Sequence, residues 1–267
     1  MSILRALPTA ARALTAAALL VCSAGVARAQ RGFEALRGDP PINNVAYDGR
    51  FAFARLRYAV APGGYYYRGL PSWAHGYPNA EENLLRLTHE VSLFSPHLDG
   101  TNVVAINDPA LFRYPVTYMT EAGYWTISDA EVAALRKYLL KGGFLILDDS
   151  RDGRFPGNMG FANIEANFRR IFPDLHFVDL TPAHPIFHSF FDIPSFDVVR
   201  QYYDYGPPVF RALFVGNNPD KRIMVLLNFN TDVSNYWEFS AQGFMPVSES
   251  NEAYKLGVNY IMYALTH

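Results

Sequence analysis

Between residues 128 and 149 the spacing of apolar side chains changes period, and the change marks a helix followed by a strand. Val132, Leu135 and Leu139 recur at helical intervals and form one apolar stripe. Ser128 with Glu131 three residues on is a capping box, in which two first-turn amides are satisfied reciprocally. Lys137 and Lys141 stand near the negative end of the helix dipole, and Gly142 suits a left-handed C-cap. Residues 144–147 are then apolar without a break, as in a strand covered on both faces, and the run ends in Asp148 and Asp149. Strand, helix and strand in this order predict parallel strands joined by a right-handed crossover. In an open α/β sheet ligands sit in the loops past the strand ends, so the two aspartates give an address for a site.

The same reading extends along the chain. Residues 30–50 form an extended lead-in, and 51–58 (FAFARLRY) a first strand with Arg55 and Arg57 on one side. After the break at Pro62-Gly63-Gly64 comes a loop dense in aromatics, with Tyr65, Tyr66, Tyr67, Trp73 and Tyr77. This loop is either a stacking surface for a flat ligand or a flap folded onto the sheet. A helix opens at Asn79 or Ala80 and runs to about Phe94, with Leu84, Leu87 or Thr88, and Val91 at helical spacing and Glu81 and Glu82 in its first turn. Strands are expected at 102–107 and 114–120, and Glu121 follows the second. A polar loop covers 150–160, a short helix 164–171 and a strand 176–180. Two further strands, 209–215 and 222–228, are joined through the turn Asn217-Asn218-Pro219-Asp220. Residues 228–232 (NFNTD) make a second polar strand end, and 251–265 the closing helix. No repeat and no linker divides residues 30–267, which therefore read as one domain.

The N-terminus reads differently. Arg5 and Arg12 precede a short alanine-rich apolar run at 13–26, and Ala27-Arg28-Ala29 fits a small-x-small cleavage pattern. Residues 1–29 are therefore expected to be a signal peptide, with an uncleaved anchor as the alternative, and the protein to be exported, periplasmic or secreted. Loss of Arg5, Arg12 and Arg28 would take the formal charge from −2 to −5. It would also remove Cys22, the only cysteine, so disulfide, thiol nucleophile and thiolate ligand are all excluded from the mature chain. The mature chain has no basic footprint for nucleic acid and no membrane span.

Candidate chemistry collects at the strand ends. Asp148 and Asp149 are read as catalytic or metal-binding carboxylates, or else as caps for the following loop. Two close carboxylates repel, which raises one pKa or recruits a cation. Asp148-x-Ser150-x-Asp152-Gly153 resembles the opening of a calcium loop, but Met159 stands where a bidentate glutamate should close it. No cofactor is predicted, and a looser divalent-cation site remains open. Glu121 with Asp149 would make a carboxylate pair of the kind that cleaves glycosides. His184 and His188, four apart, are read as ligand-binding and acid–base candidates or as turn caps. Arg55, Trp73, Tyr114, Tyr118, Asn230 and Asp232 complete the candidate ligand-binding set, with Arg55 and Arg57 expected mainly to neutralise nearby acids.

The segments FARLRY (53–58), DPALFRYPVTYM (108–119), LRKYLLKGGFLILDD (135–149), HPIFHSFFDIP (184–194), NFNTD (228–232) and YKLGVNYIMYALTH (254–267) resemble a bacterial family catalogued as a domain of unknown function, DUF4159. More distantly, the helix ending in Gly-Gly before a buried strand is similar to the class I glutamine amidotransferase-like superfamily and its trehalose-utilisation-like branch. That resemblance implies an α/β, flavodoxin-like three-layer sandwich with a mainly parallel sheet. It places Asp148 or Asp149 where the amidotransferase nucleophile would stand, without a cysteine to act. The sequence thus points to an accessory binding domain for a small polar ligand or an envelope partner. The alternative is a hydrolase of carbohydrate or a related envelope substrate working through carboxylates.

Overall fold

The computed structural model describes residues 38–61, 66–98, 100–152, 160–197 and 206–267. The expected signal segment 1–29, the Gly63-Gly64 break with Tyr65, positions 153–159 of the calcium-like loop and most of the loop before Gly206 lie outside them. The central sheet has seven strands: β1 (Ala54–Arg57), β2 (Asn102–Ala105), β3 (Val116–Thr120), β4 (Phe144–Ser150), β5 (Val178–Asp179), β6 (Val209–Phe214) and β7 (Ile223–Phe229). Their order in space is β2-β1-β3-β4-β7-β6-β5. The first five are parallel, while β6 runs antiparallel to both β7 and β5. This mostly parallel order is compatible with a flavodoxin-like sandwich, in which strand order reverses between β1 and β3.

Among the described residues five α-helices cover the sheet: α1 (Asn79–Val91), α2 (Asp129–Leu140), α3 (Gly160–Ile171), α4 (Val233–Glu238) and α5 (Val247–Thr266). Alternation along the strands divides the apolar side chains between two cores. Leu145, Leu147 and Leu227 pack with Leu135 and Leu139 of α2 and Ile164 and Phe168 of α3. Ile146, Leu226 and Tyr118 pack with Leu84 and Leu85 of α1, Trp237 of α4 and Ile261 of α5. Strands β4 and β7 are buried at every position, which explains their unbroken apolar runs. Gly257 lets α5 approach this second layer closely: a Cβ there would lie 2.6 Å from Leu84 and 2.7 Å from Trp237.

Helix α2 begins with the expected capping box, both reciprocal hydrogen bonds being present, and the chain leaves it through Gly142 at φ +112°. Elsewhere the structure adjusts the sequence reading. Helix α1 ends at Val91, which is exposed, because Leu84, Leu85 and Thr88 carry its buried face. The aromatic loop folds down: Tyr66–Tyr67 and Leu70–Pro71 pair as a small hairpin, and Ser72, Trp73 and Ala74 are buried in the turn behind it. The closing helix starts at Val247, four residues earlier than expected. Among the described residues no helix is long and apolar enough to cross a membrane.

Candidate functional site

Three neighbouring parallel strands end in the same unusual way. The residue after β3, Glu121, has φ +50°; Asp149 within β4 has φ +48°; Asn230, just past β7, has φ +54°. Each non-glycine residue in this left-handed region costs on the order of 1 kcal/mol, and Asp and Asn adopt it more readily than Glu. Within β4 the cause is a bulge. Leu147 pairs with Leu227 and Ser150 with Phe229, so Asp148 and Asp149 together face the single residue Asn228. A bulge of this kind re-aims side chains that strict alternation would send to opposite faces.

Asp148 is fully buried and saturated with donors. Its Oδ1 accepts from Asn228 Nδ2 at 2.9 Å and from the Val233 amide at 3.3 Å; its Oδ2 accepts from Tyr118 Oη at 2.9 Å and the Ser234 amide at 2.8 Å. Tyr260 Oη donates in turn to Asn228 Oδ1 at 3.0 Å, fixing that amide. Burial raises the pKa of Asp148 and the four donors oppose the rise. An ionised carboxylate offers about four acceptor positions, so this one has little left for a ligand.

Asp149 is different. Its salt bridge runs to Arg151, two residues on, and its pKa lies well above the ordinary carboxylate range because of burial and then the charges of Asp232 and Glu121. Asp232 caps α4, its Oδ1 accepting from the Asn235 amide at 2.9 Å and Ser234 Oγ at 3.0 Å. Burial, then the Asp148 charge, push its pKa up to about 7. Glu121 turns one oxygen to His75 Nδ1 at 3.1 Å, while its Oε2 is buried without a hydrogen bond among the described residues. The Thr231 hydroxyl, between Asn230 and Asp232, is likewise buried and unpartnered. Strand ends β3, β4 and β7 thus place Glu121 and Asp232 close enough to Asp149 for it to feel both charges.

Arg55 lies behind this edge. It is buried completely, pairs with equally buried Glu81, and donates to the carbonyls of Trp73 at 2.9 Å and His75 at 2.6 Å. Its guanidinium also stands 5.1 Å from the Tyr118 ring centre. Arg55 therefore fastens the folded loop that presents His75 to Glu121 and contacts the tyrosine that holds Asp148. Trp73, with its ring buried, offers no exposed face for stacking.

The other candidates are elsewhere. Tyr114 precedes β3, and its hydroxyl accepts from Asn102 Nδ2 at 2.8 Å at the opposite, amino-terminal edge of the sheet. The His184 ring packs 5.7 Å from Phe214 and 6.0 Å from Tyr263 at that same far edge, and its Nδ1 caps the Ile186 amide. His188, expected beside the carboxylates, is instead partly exposed and bound to Asp192 at 2.6 Å and the Pro182 carbonyl at 2.7 Å. The calcium-like triplet also separates: Asp148 is committed to amide, hydroxyl and side-chain donors, while Asp152 Oδ1 accepts from the Phe161 amide at 3.2 Å. Among the described residues, no three His, Cys, Asp or Glu side chains are grouped to hold a metal ion. Sequence reasoning did not single out His75 or the buried role of Glu81; the clue for both was a charged or titratable residue set in an otherwise apolar, aromatic run.

Comparison with curated proteins finds no match. A family model described as Domain of unknown function (DUF4159) matches residues 52–265, which is most of the sequence, and the chain belongs to that family.

Proposed function

We propose that this is an exported accessory binding domain that takes a small polar ligand at the carboxyl ends of β3, β4 and β7. One observation carries this reading: three adjoining strand ends hold non-glycine residues in left-handed backbone, at Glu121, Asp149 and Asn230. Strain of this type persists where the surroundings over-determine it, and it gathers at binding and active sites. The position also agrees with the ligand crevice of doubly wound sheets. The resemblance to the class I glutamine amidotransferase-like superfamily supports the same place, since Asp148 or Asp149 would occupy the nucleophile's position. Asp148, saturated by four donors, supports the wall of the site rather than contacting ligand.

The test is a thermal-shift screen of sugars and divalent ions on the protein, run beside Asp149→Asn and a far-edge control, Tyr114→Phe. A ligand that stabilises the native state raises the melting temperature by mass action. The expected result is a hit retained by Tyr114→Phe and lost by Asp149→Asn. A hit that survives Asp149→Asn unchanged would place binding elsewhere and overturn the proposal.

A second reading, a carboxylate hydrolase of carbohydrate or a related envelope substrate, draws on Asp232. Its pKa of about 7, near Asp149 whose own value is raised well above the carboxylate range, allows one carboxyl to hold a proton while a neighbour is ionised near neutrality. Acid–base pairs are made by environments that push two such values apart. In this reading Glu121 and Asp149 would be the reacting pair, without His188, and hydrolysis should vanish in both Glu121→Gln and Asp149→Asn.

A further inference from the structure

The lead-ins to three adjoining parallel strands carry charge of the opposite sign to the strand-end acids. Phe112 and Arg113 precede β3, Leu140 and Lys141 precede β4, and Lys221 and Arg222 precede β7. Because β3 pairs with β4 and β4 with β7, these lead-ins lie next to one another along the amino edge of the sheet. Contacts join them directly. Lys137 Nζ, one turn before Lys141, stands 5.6 Å from the centre of the Phe112 ring. Arg222 donates to the carbonyls of Leu139 and Gly143 and so covers the negative end of the α2 dipole. Arg113 in turn lies 5.9 Å from the centre of the Tyr47 ring.

Apolar and cationic side chains share this face in the open. Tyr47 is 49% exposed, Phe112 42% and Leu140 55%, and Arg113, Lys137, Lys141 and Lys221 are exposed beside them. The acids nearest in the chain are Asp108, which caps the Ala110 amide, and Asp220, next to Lys221. Asp48, beyond Tyr47, is held by Arg50 and His97. With half-buried Arg222, five cations thus meet two acids, a local excess of three positive charges on a chain whose formal charge is −2.

We propose that the amino edge docks on an anionic phospholipid surface. Phe112, Leu140 and Tyr47 enter the headgroup layer, and Arg113, Lys137 and Lys141 meet the lipid phosphates. Peripheral membrane anchors combine these two elements: the apolar part reaches the boundary between headgroups and acyl chains, and the cations are drawn to anionic lipid. Lysine stems lie along apolar surface while their ammonium heads stay in the polar layer. A soluble polyanion would be met by the cations alone and would give the three exposed apolar side chains nothing to bury against. Docked in this way, the domain turns its strand-end acids, at the opposite edge, toward water. The inference draws on none of those acids and stands whether or not they bind a ligand.

The experiment is co-sedimentation of the full chain with vesicles of equal parts phosphatidylglycerol and phosphatidylcholine, beside vesicles of phosphatidylcholine alone, with hydrogen exchange read on the bound protein. Residues 1–29, with Arg5 and Arg12 before an apolar run, can bind such vesicles by themselves, so exchange supplies the local readout. The expected result is binding to the mixed vesicles that weakens as salt rises, with slowed exchange in segments 108–115 and 136–143. Lys137→Gln combined with Lys141→Gln should weaken binding about 25-fold, at about fivefold per cation, and abolish the slowed exchange. Phe112→Ser should weaken it about fivefold, as a half-exposed ring no longer leaves water. Leu140→Ser serves as the second apolar variant should Phe112→Ser unfold. Unchanged exchange in both segments on mixed vesicles would overturn the proposal, however completely the chain sediments. Equal slowing on phosphatidylcholine alone would overturn it as well, because the cations would then play no part. Binding lost in the lysine variant but kept in full by both Phe112→Ser and Leu140→Ser would assign the face to a polyanion and overturn the membrane reading.

Discussion

The two edges of the central sheet both bury polar side chains but use them differently. At the amino edge they are used to finish the backbone. Tyr138 Oη donates to the Tyr114 carbonyl at 2.8 Å, the Ile223 amide donates to Tyr263 Oη at 3.2 Å, and Arg222 reaches the carbonyls of Leu139 and Gly143. These are neutral or cationic donors meeting carbonyls or, for the Ile223 amide, a hydroxyl, and they close the strand beginnings and the end of α2. At the carboxyl edge, Asp149 feels the charges of Asp232 and Glu121, Glu121 Oε2 and the Thr231 hydroxyl are buried without a hydrogen bond, and the backbone is left-handed at three positions. Burial of a polar residue is common to both edges, and so does not mark a site. What separates them is charge and backbone: the amino edge is closed by neutral and cationic donors, although the Thr101 hydroxyl there is buried without a partner, while the carboxyl edge collects carboxylates on left-handed backbone, and strain of that kind gathers at functional sites.

The contrast can be broken most forcefully at Arg55, which supports the acidic edge from behind. Arg55→Met would leave Glu81 buried at 1% exposure without a counter-charge. A loss of about 3–5 kcal/mol in urea unfolding is expected, as for other buried pairs broken on one side. A loss below about 1 kcal/mol would mean that the pair is solvated and that the loop carrying His75 is held by something else.

A smaller effect, with the opposite sign, should come from Asp232→Asn. The folded-state pKa of about 7 is above the unfolded value for aspartate, so the folded protein binds this proton more tightly. Its contribution to stability is therefore present at acid pH and is lost as pH rises from about 4 through about 7. Asparagine keeps the cap on α4 and cannot ionise, so the variant should lose that slope. It should be more stable than the parent at pH 8 by on the order of 2 kcal/mol, a figure reduced for the partial exposure of the side chain. Urea unfolding at pH 5 and pH 8 reads both values, and equal differences at the two pH values would show that Asp232 is not the group responsible.

The least effect is expected at the far edge. Tyr263→Phe removes the acceptor of the Ile223 amide and should cost about 1 kcal/mol, equally at pH 5 and pH 8. A strong pH dependence in this variant would erase the distinction between the edges.

The parts of this architecture that local chemistry dictates were legible in the sequence. Ser128 and Glu131 announce the start of α2, Gly142 its end, and the uninterrupted 144–147 run a strand with helices on both sides. Glu121, Asp148, Asp149 and Asp232 could all be named as strand-end acids for the same reason. What could not be read were relations across long separations. The bulge depends on Asn228 lying opposite Asp148 and Asp149, about which local period says nothing. Arg55 alternates correctly within β1, yet its partner Glu81 is a helical residue whose first-turn position already explains an acid by the dipole alone. Helix α4, from Val233 to Glu238, is too short to show a period, and its cap Asp232 looks like the tail of a polar loop. His184 and His188 suggested a pair by spacing, but the turn they share belongs to the amino edge, where one caps an amide and the other binds Asp192.

The bulge gives the sheet two permissible lengths at one spot. With Asp149 deleted, Asp148 would sit alone opposite Asn228, and the hydrogen-bonded rungs on either side, Leu147 with Leu227 and Ser150 with Phe229, would follow in unbroken succession. The pairing on either side of the bulge is therefore independent of the residue the candidate site relies on. A lineage could shed or regain that acid by a single-codon deletion or insertion and keep the same rungs.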